Sequence, residues 1–547
     1  MTKLAVAIMV RSLDQGLSAA ARAAEHGADL VEFRIDQFTE APALITQLVE
    51  RSALPSIVTC RPTWEGGHYE GDDSARLAAF EAACAGMRKP AYLDIELAAW
   101  QRLPQLRQRI SALIDHPGQI NPTHTGLILS THDFTTRPAD LYQRVEAMLA
   151  NSACRVIKVA WRARSLRDNV EAFDLIGHRH KPTIALCMGD EGLPSRVLAK
   201  KFGALLTFAA LEEGEGTAPG QPTLASMKKL YRWDALNADT QVFGVIGHPV
   251  GHSMSPAFHN AGFEAIRYNG VYLPMPIPPE WEHFKATIAT WLDAKDLDFM
   301  GASVTIPHKQ NLLRFVEERG GEIEPLARRI GAANTLVVRH ADFSPHAQDH
   351  GGLYACNTDY GAALDSVCDR LRIERAGLAG KRVAVIGAGG AARAIVAGFA
   401  HYGATVVIYN RTFDRATELA KEFNESPTHT GGSAKVVAAR LEKLCDSCCH
   451  VFINCTSVGM HPNVDETPIP TAADTKGWGP DTVVFDTVYN PLETRLLREA
   501  KAAGCITISG AEMFVRQGAA QFKLWTGQEP PIEVMRDVVM KRLGGRV

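Results

Sequence analysis

The feature that most constrains the fold is an alternation through the first 210 residues. Short runs of β-branched and apolar residues recur eight times, each followed by a helix-length stretch. They are LAVAIM from Leu4, ADLVEFRID from Ala28, PSIVTCR from Pro55, AYLDIEL from Ala91, GLILSTHDF from Gly126, CRVIKVAW from Cys154, PTIALCMG from Pro182 and ALLTFAA from Ala204. Strand runs spaced by helical patterns indicate βαβ units, and eight of them in so short a span predict a (β/α)8 barrel. In a barrel every strand is central, so Lys158 within RVIKVAW is not an edge residue pointing to water. A buried ammonium without a partner costs several kcal/mol, so the chain is expected to use it.

Other polar residues fall in or at the C-terminal ends of the same runs: Glu32, Arg34, Arg61, Asp94, Glu96, His132 and, with Gly189, Met188. Barrel active sites are built at that end, where strand termini and loops converge. After Ala210 the acidic, Gly- and Pro-rich LEEGEGTAPGQPT leads to a predicted helix, SMKKLYRWDAL, and the polar link NADT. The boundary between the two halves is therefore expected near 235–240.

The second half opens on QVFGVIG and the turn HPVGHSMSP. Later, KRVAVIGAGGAARAIVAGFA reads as strand, glycine turn and helix, with Gly387, Gly389 and Ala392 in G-x-G-x-x-A spacing. Such a turn lets backbone amides approach a pyrophosphate at a helix N-terminus. The next strand, ATVVIYN, ends on Asn410, Arg411 and Thr412, where an NAD site would carry an acid; an arginine there suits the 2′-phosphate of NADP.

A length of 547 residues suggests two to four units, and a net charge of -3 without basic clustering excludes a nucleic-acid or acidic-membrane footprint. The apolar run in MTKLAVAIMVRS is shorter than a signal-peptide core and is expected to be a first strand in a cytoplasmic protein. Eleven cysteines without framework spacing suit reduced thiols. Neither CDSCC (Cys445, Cys448, Cys449) nor the histidine-rich 340–354 has metal-site spacing or support, so no metal is expected and 340–354 reads as a surface loop.

Together EFRID, CRPTWEGG, YLDIE, STHDF, RVIKVAW, GLPSR and TAPGQ, in that order, resemble the type I 3-dehydroquinate dehydratases over residues 1–235. The resemblance implies that Lys158 forms an imine with a ketone, its amine freed by cationic neighbours in a dry barrel. It makes His132 the general acid and base, with Glu96 and Asp94 nearby. It assigns Arg196 and Gln221 to lid and carboxylate contacts, and Glu32, Arg34, Arg61, Asp94, Met188 and Thr217 to positioning the substrate. Thr217 stands where a serine is usual and Leu186 where methionine is common; both are mild departures.

GHPVGHSMSP, SVTIPHK, GAANT, CNTDYG, GAGGAARA, NRT, NCTSVGM, DTVYNPLET and SGAEMFVRQGAAQF resemble the shikimate dehydrogenases over 240–547. This implies Lys309 and Asp359 as an acid pair, with Ser253, Ser255, Thr305, Asn334, Tyr489 and Gln517 on the substrate. Without the family, Ser253 and Ser255 could equally cap the helix starting near Pro256. Cofactor contacts are expected from Gly387, Ala388, Gly389, Gly390, Ala391, Asn410, Arg411, Thr412, Asn454, Thr456, Met460, Gly510 and Met513. The expected whole is an α/β chain: a barrel over 1–236, a substrate domain over 240–365 completed by 511–547, and a Rossmann NADP domain over 366–510. It is expected to act on small molecules in consecutive steps, from 3-dehydroquinate to 3-dehydroshikimate to shikimate, with no membrane, nucleic acid or obligate protein partner.

Overall fold

The eight apolar runs become eight strands: β1 (Lys3–Met9), β2 (Leu30–Arg34), β3 (Ser56–Thr59), β4 (Tyr92–Glu96), β5 (Gly126–Asp133), β6 (Cys154–Arg162), β7 (Thr183–Met188) and β8 (Leu206–Ala209). They form one parallel sheet in the order β7-β6-β5-β4-β3-β2-β1-β8. Its two end strands approach each other where Leu205 N–H donates to Thr183 O at 3.0 Å, giving a nearly closed barrel. The computed structural model describes residues 1–116, 123–178, 180–339, 352–425, 435–469 and 477–544; most of the histidine-rich 340–354 lies outside them.

Side chains alternate across a strand, so one set per strand faces the barrel axis. Ala5, Leu30, Ile57, Ile128, Val156, Ile184 and Leu206 pack into a single buried cluster at the N-terminal part of the interior. Two residues further along β2, β4, β5 and β6, the same inward face carries Glu32, Asp94, Ser130 and Lys158, all buried. Lys158 is thus inward because Val156 and Ala160, its neighbours at two-residue spacing, belong to the apolar cluster. An apolar floor supports a polar layer at the end where barrels place chemistry.

The predicted helix SMKKLYRWDAL is broken. Ser226–Leu230 is a single π-helical turn, Arg232 is left-handed (φ 55), and Trp233–Ala235 is a 3₁₀ turn. Arg232 Nη1 donates to Gly270 O at 2.7 Å and Trp233 is buried, contacts that outweigh the helical propensity of this stretch.

Two further sheets follow. One has the order β10-β9-β11-β13-β14-β12, built from β9 (Gln241–Gly247), β10 (Gly270–Pro276), β11 (Phe299–Val304), β12 (Glu322–Ile323), β13 (Thr335–Arg339) and β14 (Gly352–Cys356). It is mixed, since β13 runs antiparallel to β11 and β14. The other comprises β15 (Arg382–Ile386), β16 (Thr405–Asn410), β17 (Val436–Arg440), β18 (Val451–Asn454), β19 (Val483–Asp486) and β20 (Ile506–Ile508). It is wholly parallel with the order β17-β16-β15-β18-β19-β20, the 3-2-1-4-5-6 arrangement of a dinucleotide-binding Rossmann sheet.

The chain divides into two compact units, Met1–Val242 with Asn269–Pro278 and Ala286–Phe299, and Phe243–Tyr268 with Pro279–Lys285 and Met300–Val547. Among the described residues no helix is long and apolar enough to cross a membrane.

Candidate active sites

In the barrel, Lys158 Nζ donates to Asp94 Oδ2 at 2.7 Å and to Glu32 Oε1 at 3.2 Å, and lies 4.5 Å from the centre of the Phe208 ring. Its nearest charges are two carboxylates, not the cationic groups expected from sequence, because β2 and β4 turn Glu32 and Asp94 onto the same axial layer. Asp94 also accepts from Arg61 Nη2 at 2.8 Å and from Ser130 Oγ at 2.5 Å. Burial alone would raise the Asp94 pKa, but Arg61 and Lys158 outweigh it and hold the carboxyl well below its usual range.

His132 stands at the inner end of β5. Burial first, then the positive charges of Arg61 and Lys158, drive its pKa well below 6.5, so the imidazole is neutral at rest. Glu65 Oε1 accepts the His132 backbone N–H at 2.9 Å and lies 3.0 Å from Nδ1. With Nδ1–H directed at that oxygen, Nε2 keeps its lone pair for a substrate proton. Burial pushes the Glu65 carboxyl up to about 8, against the lowering effect of Arg61. Glu65 was not among the sequence candidates, although it sits in the CRPTWEGG motif.

Glu96 is placed differently from expectation. Its carboxylate accepts from Arg61 Nη1 at 2.6 Å and from Arg76, and it is fully buried outside the lining of the cavity. Each of its oxygens is held by an arginine, so it anchors Arg61. Arg34 is likewise fixed, by two bonds to Asp36 at 3.0 and 2.8 Å. The cavity is small, about 50 Å³, and Arg34, Met188, Thr217 and Gln221 all reach it. Gln221 Oε1 accepts Thr217 N–H at 2.9 Å, tying the loop together over the pocket. Arg196, also on the cavity, is 2% exposed; its Nε has no partner among the described residues, and burial presses its pKa down to about 10. An unpaired buried guanidinium needs an anion.

The second unit holds a larger cavity, of about 440 Å³. Lys309 Nζ donates to Asp359 Oδ2 at 2.6 Å on its wall, and Asn334 Nδ2 donates to Asp359 Oδ1 at 2.9 Å. Ser253 and Ser255 line it too, and Ser253 Oγ also accepts the first N–H of the helix Ser255–Ala265, that of Ser255, at 3.2 Å. Thr305, Tyr489, Gln517, Met513, Gly510 and Ala391 complete this wall. The buried Gln521, absent from the sequence candidates, accepts from Ser303 Oγ at 2.7 Å and donates to Thr335 Oγ1 at 2.9 Å.

The glycine turn fits a dinucleotide on three counts. Gly387 has φ 115, a conformation that side chains resist. A Cβ on Gly389 or Gly390 would meet nothing within 4 Å, so space lies open before the amides. The helix Gly390–His401 has no side-chain cap, which leaves its first N–H groups for a ligand. Ala388 and Ala391 flank the turn. Arg411 and Thr412 are exposed at the end of β16, where Asn410 Nδ2 donates to Thr412 O at 2.8 Å. Thr456 is braced by its Oγ1 bond to Asn454 Oδ1 at 2.7 Å, and Asn454 donates to Asp486 at 2.9 Å. Met460 is 45% exposed and is absent from the cavity lining.

A lysine on the axis of a barrel and a lysine–aspartate pair beside a dinucleotide turn define a bifunctional enzyme, one site for carbonyl chemistry without a nucleotide and one for hydride transfer. The family descriptions match in that order: type I 3-dehydroquinase over residues 4–238, shikimate dehydrogenase substrate binding domain over 245–336, shikimate/quinate 5-dehydrogenase over 371–444 and shikimate 5′-dehydrogenase C-terminal domain over 510–540. The chain is 37% identical to the chloroplastic bifunctional 3-dehydroquinate dehydratase/shikimate dehydrogenase of Arabidopsis thaliana, over 98% of this chain and 83% of that one. It is 42% identical to the shikimate dehydrogenase (NADP(+)) of Methanosarcina barkeri, over 55% of this chain and 99% of that one. A solved shikimate dehydrogenase in complex with NADP+ shares 38% identity, covers 56% of this chain and 97% of its own, and has a TM-score of 0.48. The chain belongs to the bifunctional 3-dehydroquinate dehydratase/shikimate dehydrogenase family of the shikimate pathway.

Proposed function

We propose that the barrel dehydrates 3-dehydroquinate through an imine on Lys158, and that the second unit reduces the product with NADPH through Lys309 and Asp359. The domain limits are those read from sequence: 1–236, 240–365 with 511–547, and 366–510. The observation that carries the first step is a buried amine held between two carboxylates, Asp94 and Glu32, and the Phe208 ring. After Nζ adds to the ketone, water leaves and a protonated imine forms. Asp94 and Glu32, both within hydrogen-bonding reach of Nζ, stabilise the positive charge the imine nitrogen carries. His132 Nε2 takes a proton from the carbon beside the imine, giving an enamine. The enamine electrons then expel the hydroxyl on the next carbon, which departs as water with the proton His132 returns; hydrolysis frees Lys158 and the enone. Arg196 binds the carboxylate, Arg61 and Arg34 hold hydroxyls and the acidic groups around them, and Thr217 and Gln221 close over the site.

In the second unit, NADPH supplies the hydride when bound. Lys309 donates its proton to the carbonyl oxygen as charge develops there, and Asp359 orients the ammonium and restores its charge. Ser253 and Ser255 hold the carboxylate, while Thr305, Asn334, Tyr489 and Gln517 address hydroxyls and ring. The turn Gly387–Ala391 receives the pyrophosphate and Arg411 with Thr412 the 2′-phosphate; Asn454, Thr456, Met460, Gly510 and Met513 shape the nicotinamide side. The chain then works in the cytoplasm on these small molecules, without an obligate protein partner.

One experiment tests the scheme. Borohydride added with 3-dehydroquinate should attach the reduced substrate to the peptide containing Lys158, and full dehydratase activity in Lys158→Ala would sink the imine. Dehydrogenase activity in the same variant shows whether the rest of the chain is folded.

A further inference from the structure

We propose that Arg440 is a second cationic contact for the NADP 2′-phosphate and helps set the preference for NADP over NAD. This rests on the NADP reading above. β16 and β17 run parallel with Asn410 paired to Arg440, so Arg440 ends its strand level with the residue that opens the Asn410-Arg411-Thr412 turn. Its guanidinium carbon lies 5.1 Å from the centre of the Phe413 ring, and Phe413 is the residue that follows that turn. Stacking on the ring holds a long, exposed side chain at the corner and leaves the guanidinium edge, with its paired N–H donors, free for oxygens.

The surrounding charges favour an anion there. Other cations of this region are neutralised: Lys421 pairs with Glu425 at 3.7 Å, and Arg393 pairs with Glu422. Among the described residues Arg411, Arg415 and Arg440 are exposed and have no ion-pair partner, including Asp414 in the first turn of the helix Phe413–Glu425. Arg411, next to Asn410 at the end of β16, and Arg440, paired with Asn410 across the strands, are two uncompensated arginines that match a dianionic group better than the neutral ribose edge of NAD. A phosphate with two faces to guanidinium edges takes charge-assisted bonds from both.

The test compares binding of adenosine 2′,5′-bisphosphate and of 5′-AMP to the full chain by titration calorimetry. Arg440→Ala should weaken the bisphosphate by about tenfold and leave AMP unchanged, as expected for one lost charge-assisted contact. Arg440→Lys should recover part of the loss. Unchanged bisphosphate affinity in Arg440→Ala, or equal weakening of both nucleotides through lost adenine stacking, would overturn the proposal. Failure of the wild-type chain to prefer the bisphosphate would instead overturn the NADP reading, and this proposal with it. The KM for NADPH relative to NADH should move in the same direction as the binding ratio.

Discussion

Replacing Glu65 by Gln should make the barrel progressively more stable than wild type as the pH rises, while damaging its catalysis. The Glu65 carboxyl is buried and moved from the usual 4.5 to about 8. A group whose folded pKa is raised contributes stability that is fully present below its unfolded pKa and is lost as pH climbs through the folded one. The window is therefore pH 4.5 to 8, and at about 1.36 kcal/mol per unit the loss reaches roughly 5 kcal/mol. Gln does not titrate, and its carbonyl can still accept the His132 backbone N–H that Glu65 Oε1 now accepts. The stability gap between Glu65→Gln and wild type should thus widen by roughly 4 kcal/mol from pH 5 to pH 8.5. Pulse proteolysis in urea, read on barrel peptides of the full chain, measures it, and peptides of the second unit serve as the internal reference. Two parallel stability curves, or a gap that narrows with pH, would refute the assignment of a raised pKa to this carboxyl. Above about pH 8, where the Glu65 carboxyl is ionised, the same variant lacks the carboxylate opposite His132 Nδ1, so the dehydratase kcat there should fall by about tenfold or more, part of the 10²–10⁴ range of acid–base catalysis.

Arg196→Ala should lower dehydratase kcat/KM by about a hundredfold, mostly through KM, because an unpaired buried guanidinium has no other anion to bind; a substrate analogue lacking the carboxylate should bind wild type and variant alike. Asp359→Asn should reduce dehydrogenase kcat by about 10²-fold or more with little change in KM, since it removes the charge 2.6 Å from Lys309 Nζ. Steady-state rates at saturating NADPH check it, and an unaltered kcat would remove Asp359 from the proton-delivery step.

What could be read from the chain follows the range of each interaction. Strand periodicity is local, so the eight runs, the inward face of Lys158 and the glycine turn were legible before any contact was known. Glu65 was not, because it lies in the 3₁₀ turn Thr63–Glu65 and meets His132 across 67 residues of sequence. Its motif was in view, but nothing local says which residue of CRPTWEGG faces the histidine. Glu96 misled for the same reason: it follows Asp94 by two residues and shares its face, but Arg76 arrives from the helix Asp73–Ala83 to occupy it. The expected cationic setting of Lys158 failed likewise, since Arg61 is engaged by Glu96 and by Asp94, the carboxylate that also binds the amine. The helix expected over SMKKLYRWDAL yielded to Arg232 and Trp233, whose partners lie elsewhere in the fold.

The bond from Ser303 Oγ to Gln521 Oε1 closes a loop of 218 residues, and Trp525 Nε1 reaches Leu336 O across 189. On a ribosome the two sites therefore mature at very different moments. The eight barrel strands have all been made by Ala209, whereas the reducing site waits for a helix, Gly510–Thr526, that is translated near the end. Between those moments the growing chain can already make the enone but has no finished pocket in which to reduce it. Dehydratase activity should accordingly be detectable on stalled chains that show no dehydrogenase activity.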